Sequence, residues 1–385
     1  MKLIYFTNIW SHHHEGVCRA LHELLKDDFK MFLYQPFDNK WSLDRLKMGW
    51  NIYPPQENWI VPPPGDEKSR KSFVAQMLDA DVAVGGINES FPMEFHRQWV
   101  TKERKPWFAM GERFFKQPVT LRRLLTTRLL KQIYDIRQLL GYKNVHYLTM
   151  NHYCGKDLQF MHLCKDRIWT WGYLPQVSEN PPCRRESSTL QLLWCGRMWN
   201  CKQVDSILLA VKKLLDSGRR DFHLRLIGEG YCRDDLVRLT AELGLTDHVD
   251  FLPMTTPELA REAMRKAHVY CFAGNREEGW GVTLLEAMAE GCAVVADDAA
   301  GATLDLVRDR KNGFVYRDGD IEGQFRALAE IYDLPDRGEA IGKAAWQTMQ
   351  SWSPAVGAER LCRLTEAAFA KRELPVFSEG LCSRK

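Results

Sequence analysis

The sequence predicts an α/β fold of two Rossmann-like domains, and three observations predict it. Short apolar runs alternate with longer stretches of helical period, the pattern of a parallel sheet covered by helices. About six strand–helix pairs fill the second half, enough for a Rossmann-like domain of its own. Between the halves, residues 178–188 (SENPPCRRESS) are polar and proline-rich with no periodicity, so they bury no face and read as a linker. The 385 residues leave room for two cores.

In the first half the strand candidates are 3–9, 30–35, 81–85, 106–110, 145–149 and 167–171, with helix candidates at 16–26, 69–78 and 118–140. In the second, strands near 190–195, 222–227, 249–252, 268–272, 293–296 and 313–316 alternate with helices near 202–216, 233–244, 256–267, 282–290 and 301–308. The expected division is a first domain over 1–177, a second over 178–352 and a terminal helix over 353–385. Two such domains would face each other across a cleft at the carboxyl ends of their sheets, where ligands of open α/β sheets bind.

The net charge of +3 gives no support to nucleic-acid binding. The charge is uneven: residues up to about 176 carry roughly +7 and the remainder about −4. Met1-Lys2-Leu3-Ile4-Tyr5-Phe6 enters a strand-like run at once, unlike a signal peptide. No apolar run reaches the roughly 18–20 residues that span a bilayer. Eleven cysteines, an odd count without a CxxC pair, read as reduced thiols, and the cytoplasm is the expected compartment.

The stretch 275–291 (NREEGWGVTLLEAMAEG) carries the most chemistry. It follows the apolar strand candidate ending at Phe272 and opens a helix near Val282. Helix N-termini present unpaired N–H groups and the positive end of the macrodipole, which suits a diphosphate. Gly279 and Gly281, on either side of Trp280, let backbone approach a ligand. Glu278 lies in the loop and Glu286 in the helix, so one carboxylate could meet a sugar while the other reaches ribose hydroxyls. Upstream, Cys195-Gly196-Arg197-Met198-Trp199-Asn200-Cys201-Lys202 forms another strand-to-helix junction, with Arg197 and Lys202 as its cations.

E-G-W-G-V-T-L-L-E-A-M-A-E-G resembles the E-x7-E motif of retaining GT-B glycosyltransferases, especially family 4, with Glu278 and Glu286 at the motif positions. Gly196-Arg197 through Lys202 is similar to that family's G-R-x4-K segment, and Ile227-Gly228-Glu229-Gly230 followed by Val249-Asp250-Phe251-Leu252 continues the resemblance in the family's order. The resemblance covers residues 190–318. It implies a GT-B fold and metal-independent transfer of a sugar from a nucleotide diphosphate carrier, a UDP-sugar by default. Arg197 and Lys202 would offset charge building on the departing diphosphate. Glu278 would bind the donor sugar and Glu286 the ribose, Gly279, Trp280 and Gly281 would contact the donor, and the helix start at Val282 and Thr283 would hold its diphosphate. Gly228 and Gly230 would line the base pocket, or serve as tight-turn glycines. The departing phosphate would take the acceptor proton, so no side-chain base is named. A nucleotide-sugar epimerase and a non-catalytic nucleotide-binding partner of the same fold are the alternatives.

The acceptor half is less legible, because loops vary with the acceptor. Trp10-Ser11-His12-His13-His14-Glu15-Gly16 ends the first strand. In the family this loop is often glycine-rich and sits beside the donor phosphates; Gly16 matches, and His13 and His14 contact acceptor or phosphate, or form an inert polar loop. Consecutive histidines diverge in direction and suit a metal poorly. Glu112, in Gly111-Glu112-Arg113, resembles an S-E-R segment of some members and contacts sugar or acceptor, or forms a structural ion pair. His152, Cys154, His162 and Cys164 fit no common zinc spacing. Residues 121–142 are basic on one side and apolar on the other, either core-packed with a solvated face or lying on the inner membrane surface near a lipid-linked acceptor. A sugar or a small molecule is equally open as acceptor.

Overall fold

Five-residue runs such as Leu3-Ile4-Tyr5-Phe6-Thr7, with every side chain buried, are apolar on both faces and belong inside a sheet covered on both sides. The computed structural model describes residues 1–38, 40–47, 51–86, 91–116, 120, 122, 126–180 and 187–385. It divides into two units, Met1–Leu174 with Trp352–Lys385, and Pro175–Ser351. Part of the linker reading (181–186) and part of the basic segment (121 and 123–125) lie outside the described residues.

Among the described residues the first unit holds seven parallel strands: β1 (Leu3–Thr7), β2 (Phe29–Leu33), β3 (Ile60–Val61), β4 (Val82–Gly85), β5 (Trp107–Gly111), β6 (Val145–Thr149) and β7 (Ile168–Thr170). Their order is β3-β2-β1-β4-β5-β6-β7. The strands advance one way from β1 and the other way from β4, so the switch point lies between these two neighbours. Helices α1 (His12–Leu25), α2 (Lys40–Lys47), α3 (Glu67–Leu78), α4 (Met93–His96), α5 (Thr127–Leu140) and α6 (His152–Phe160) join them. Asp66 caps α3 reciprocally with Ser69, and Thr126 caps α5, so both ends are set by local chemistry. Phe6, Phe32, Phe95, Trp99 and Trp107 centre the core.

The second unit repeats the plan with β8 (Leu190–Cys195), β9 (Phe222–Ile227), β10 (Val249–Leu252), β11 (Val269–Phe272), β12 (Ala293–Asp297) and β13 (Phe314–Tyr316), ordered β10-β9-β8-β11-β12-β13 and all parallel. Here the switch point falls between β8 and β11. The helices are α7 (Val204–Asp216), α8 (Arg233–Glu242), α9 (Pro257–Lys266), α10 (Val282–Ala289), α11 (Gly301–Leu306), α12 (Ile321–Asp333) and α13 (Glu339–Gln350). The chain then returns to the first unit as α14 (Pro354–Phe369), capped by Ser353 and packed on α1. Its tail pairs with β7: the Cys382 N–H donates to the Thr170 carbonyl at 2.8 Å, and the Thr170 N–H to that of Ser383 at 2.8 Å. Among the described residues, no helix is long and apolar enough to cross a membrane.

Candidate functional site

The second unit's switch point releases two loops, 196–203 after β8 and 273–281 after β11. The Tyr270 hydroxyl pins the strand ends together, donating to the Cys195 carbonyl at 2.9 Å and accepting from its N–H at 3.3 Å. One backbone bond joins the loops, from the Asn275 N–H to the Cys201 carbonyl at 3.1 Å. Across this junction the Lys202 ammonium lies 2.5 Å from Glu278 Oε2, with side chains only 20% and 10% exposed. The two motifs singled out in the sequence therefore meet through their charged residues.

Local chemistry positions each member. Lys202 closes a short 3-10 turn, Asn200–Lys202, and Gln203 takes a left-handed φ of 42° before α7. Glu278 is fixed by its own N–H, which donates to the Asn275 carbonyl at 2.8 Å. Gly281 caps α10 with φ 86°, a conformation in which a side chain is strained, and a Cβ there would press on Phe272. The helix starts at Val282, as its glycine signal predicts, and the N–H groups of Val282 and Thr283 belong to its unpaired first turn. Glu286 is 8% exposed inside α10, and its charge helps burial push the Cys195 thiol up to about 12.

Arg197 lies 3.9 Å over the Trp199 ring, and Trp199 stacks with Tyr231 at 6.3 Å between centroids. The Asn200 N–H donates to the Tyr231 hydroxyl at 3.1 Å. Gly228 and Gly230 are held against this loop: a Cβ on Gly228 would land on the Gly196 carbonyl, and one on Gly230 on the Met198 backbone. Close approach of two loops thus accounts for both glycines. Trp280 is 1% exposed, so its ring anchors the loop and its backbone is what the loop can offer a ligand; its carbonyl accepts from the Ala302 N–H at 3.0 Å.

In the first unit, α1 begins at His12, four residues before the predicted start. The histidines therefore form its first turn and Gly16 is a buried helical residue rather than a loop glycine. The reason is Ser11, whose extended backbone (φ −157°, ψ 152°) serves as N-cap, with Glu15 favourable in the first turn. His14 Nδ1 is 3.0 Å from the Tyr5 hydroxyl, and the His13 ring is 5.1 Å from that of Tyr173. Burial first, then the His12 and Arg45 charges, lower His14 to about 4; burial and the His12 charge likewise hold His13 well below its usual range. At about 4, His14 is neutral at pH 7. Glu112, half-buried after β5, raises Tyr173 behind the larger effect of burial. These groups gather at the carboxyl ends of β1, β5 and β7. The Cys164 thiol donates to the Leu140 carbonyl and burial raises the Cys154 thiol, so both act as core groups.

Two residues of this region carried no signal in the sequence. Tyr231 looks like an ordinary helix-start aromatic until its stacking on Trp199 is seen. Asp297 ends the small-residue strand Ala293–Asp297 and is 1% exposed, an unusual place for a carboxylate.

Two units, each built on a parallel sheet with this strand order, are two Rossmann-like domains in one polypeptide, the fold class called GT-B. Residues 184–348, nearly all of the second unit, match the family Glycosyl transferases group 1. The chain is 32% identical over 162 residues to a D-inositol 3-phosphate glycosyltransferase of Streptomyces scabiei, covering 40% of this chain and 36% of that protein. It is 32% identical over 150 residues to a phosphatidyl-myo-inositol mannosyltransferase of Mycolicibacterium smegmatis, covering 39% and 37%. The chain thus spans well under half of these curated relatives. Over nearly the full chain, the fold is shared with Anabaena Alr3699/HepE in complex with UDP and glucose (13% identity, TM-score 0.65, 95% of this chain and 100% of that one). It is shared also with WaaG, a glycosyltransferase involved in lipopolysaccharide biosynthesis (16%, 0.60, 93% and 98%).

Proposed function

We propose that this chain moves a sugar from a nucleotide-diphosphate sugar to an acceptor hydroxyl, with retention and without a divalent ion, in the synthesis of a glycan or glycoconjugate. The observation that carries the reading is the Lys202–Glu278 contact at the switch point, where sugar-binding and phosphate-binding chemistry become adjacent. Arg197, Lys202 and the N–H groups of Val282 and Thr283 hold the diphosphate. Glu278 binds donor sugar hydroxyls and supports positive charge at the anomeric carbon, and Glu286 takes the ribose. The bond from the anomeric carbon to the phosphate oxygen breaks, and the acceptor oxygen bonds on the same face. The acceptor proton passes to the departing phosphate. Fixed cations beside that oxygen stabilise the charge it gains. UDP-sugars are the default donors, a choice supported by the UDP in the HepE complex.

A lipid-linked acceptor at the inner membrane surface is the second part of the proposal. Its support is α5, where Leu130 and Tyr134 are 54% and 61% exposed beside exposed Arg128 and Lys131.

The test is a thermal-shift screen of UDP-, GDP-, ADP- and dTDP-sugars, then a transfer assay of wild type against Glu278→Ala. Transfer lost in a folded variant supports the assignment, and undiminished transfer overturns it. Conversion of a donor without acceptor would identify an epimerase; donor binding without any reaction would identify a non-catalytic partner.

A further inference from the structure

Asp297 is a buried carboxylate with half of its bonding capacity unused. Its Oδ1 accepts the N–H groups of Ala299 at 2.8 Å and Ala300 at 3.2 Å. Its Oδ2 is buried with no hydrogen-bond partner among the described residues. The segment it anchors then holds the donor loop. The Gly301 N–H donates to the Gly279 carbonyl at 3.4 Å, and the Ala302 N–H to that of Trp280 at 3.0 Å, immediately after Glu278. A carboxylate so placed bears on the loop in two ways, as a mechanical anchor and as a charge.

We infer that Asp297 is a positioning residue of the donor loop, and that its charge state sets how strongly the site holds a nucleoside diphosphate. The inference rests on the donor-site reading above. The groups facing it are Glu278 from the loop, Tyr316 from β13 and Asp318 just beyond. The Tyr316 hydroxyl donates to the Phe272 carbonyl at 3.0 Å, and Asp318 donates its N–H to Asp298 Oδ1 at 2.9 Å. Burial, opposed by the two backbone N–H bonds and reinforced by Asp318 and Glu278, pushes Asp297 up to about 7. Below that pH the carboxyl is neutral. Above it, a second anion appears beside Glu278, facing a ligand that is itself an anion.

The experiment measures UDP, GDP, ADP and dTDP affinities at pH 6 and pH 8 for wild type, Asp297→Asn and Asp297→Ala. Asn keeps an oxygen for the Ala299 and Ala300 N–H groups but cannot ionise. Wild-type affinity is expected to fall about tenfold more than that of Asp297→Asn over this range, the scale of one added charge acting across a partly screened site. Asp297→Ala is expected to bind weakly at both pH values, with Asn restoring the pH 6 affinity. Equal pH dependence in wild type and Asp297→Asn overturns the inference and leaves the donor reading standing. Failure of all four diphosphates to bind at either pH overturns both. A titration of wild-type protein carrying 13Cγ-aspartate covers the case in which the variants do not fold. One carboxyl titrating near pH 7 supports the inference, and titration of every aspartate below pH 5 overturns it.

Discussion

Lys202 and Glu278 can be separated by a double-mutant cycle, with the size of the coupling set by their geometry. At 2.5 Å and an effective dielectric of about 20, the attraction of two unit charges is about 7 kcal/mol. Both side chains are largely covered, so desolvation cancels most of this. A coupling of about 1–3 kcal/mol is the expected remainder. Removing one partner strands the other, at a cost of about 3 kcal/mol. The order of the single variants is then fixed: Lys202→Ala strands the 10%-exposed glutamate and costs more than Glu278→Ala, which strands the 20%-exposed lysine. Because two units need not unfold together, peptide-resolved hydrogen exchange over 196–203 and 273–281 is the appropriate assay. A coupling below about 0.5 kcal/mol, or the opposite order of the singles, refutes the view that this pair fixes the two loops.

Other expectations follow from neighbouring observations. Glu290 is 7% exposed and ion-paired with Arg261 at 2.5 Å and Arg265 at 2.8 Å; Glu290→Gln should lower stability by about 3 kcal/mol in urea unfolding while the transfer rate of folded protein is kept. Gly228→Ala should prevent the approach of the 228–230 and 196–198 loops, seen as loss of nucleotide binding together with a lower melting temperature. His146 is buried against Phe108, and burial lowers it to about 3. The unfolded chain then binds the extra proton between about pH 6.5 and pH 3, so stability falls on acidification through that window; His146→Phe should flatten that slope in acid-denaturation curves. Among the described cysteines, only Cys201 and Cys232 are not buried, so they should react first with a thiol reagent in native protein and the rest only on unfolding.

Much of the fold was legible because parallel strands buried on both faces are read as apolar runs. Leu190–Cys195, Phe222–Ile227 and Val249–Leu252 match their predicted bounds. Misreadings fall where a local signal is weak. Ile60–Val61 is two residues long and pairs only at the sheet edge, too short for any period. The α1 start was missed because three histidines look like a loop, although Ser11 stands where an N-cap belongs. At the candidate site, the two segments that the resemblance singled out, around Arg197–Lys202 and Glu278–Glu286, are joined by the Lys202–Glu278 contact. Asp297 and Tyr231 were not legible, since burial of a carboxylate and stacking of a ring depend on partners distant in sequence.

The first unit is assembled from both ends of the chain, and this has a consequence for synthesis. A ribosome delivers residues in order from the amino end, so α14, the partner of α1, and the tail bonded to the β7 edge emerge after the rest of their unit. Until then β7 presents unpaired backbone groups, a template for pairing with another nascent chain. The second unit is continuous and can close as soon as it is made. The unit begun before the other is thus completed after it, and a chain broken off between residues 352 and 381 would leave it both unfinished and adhesive.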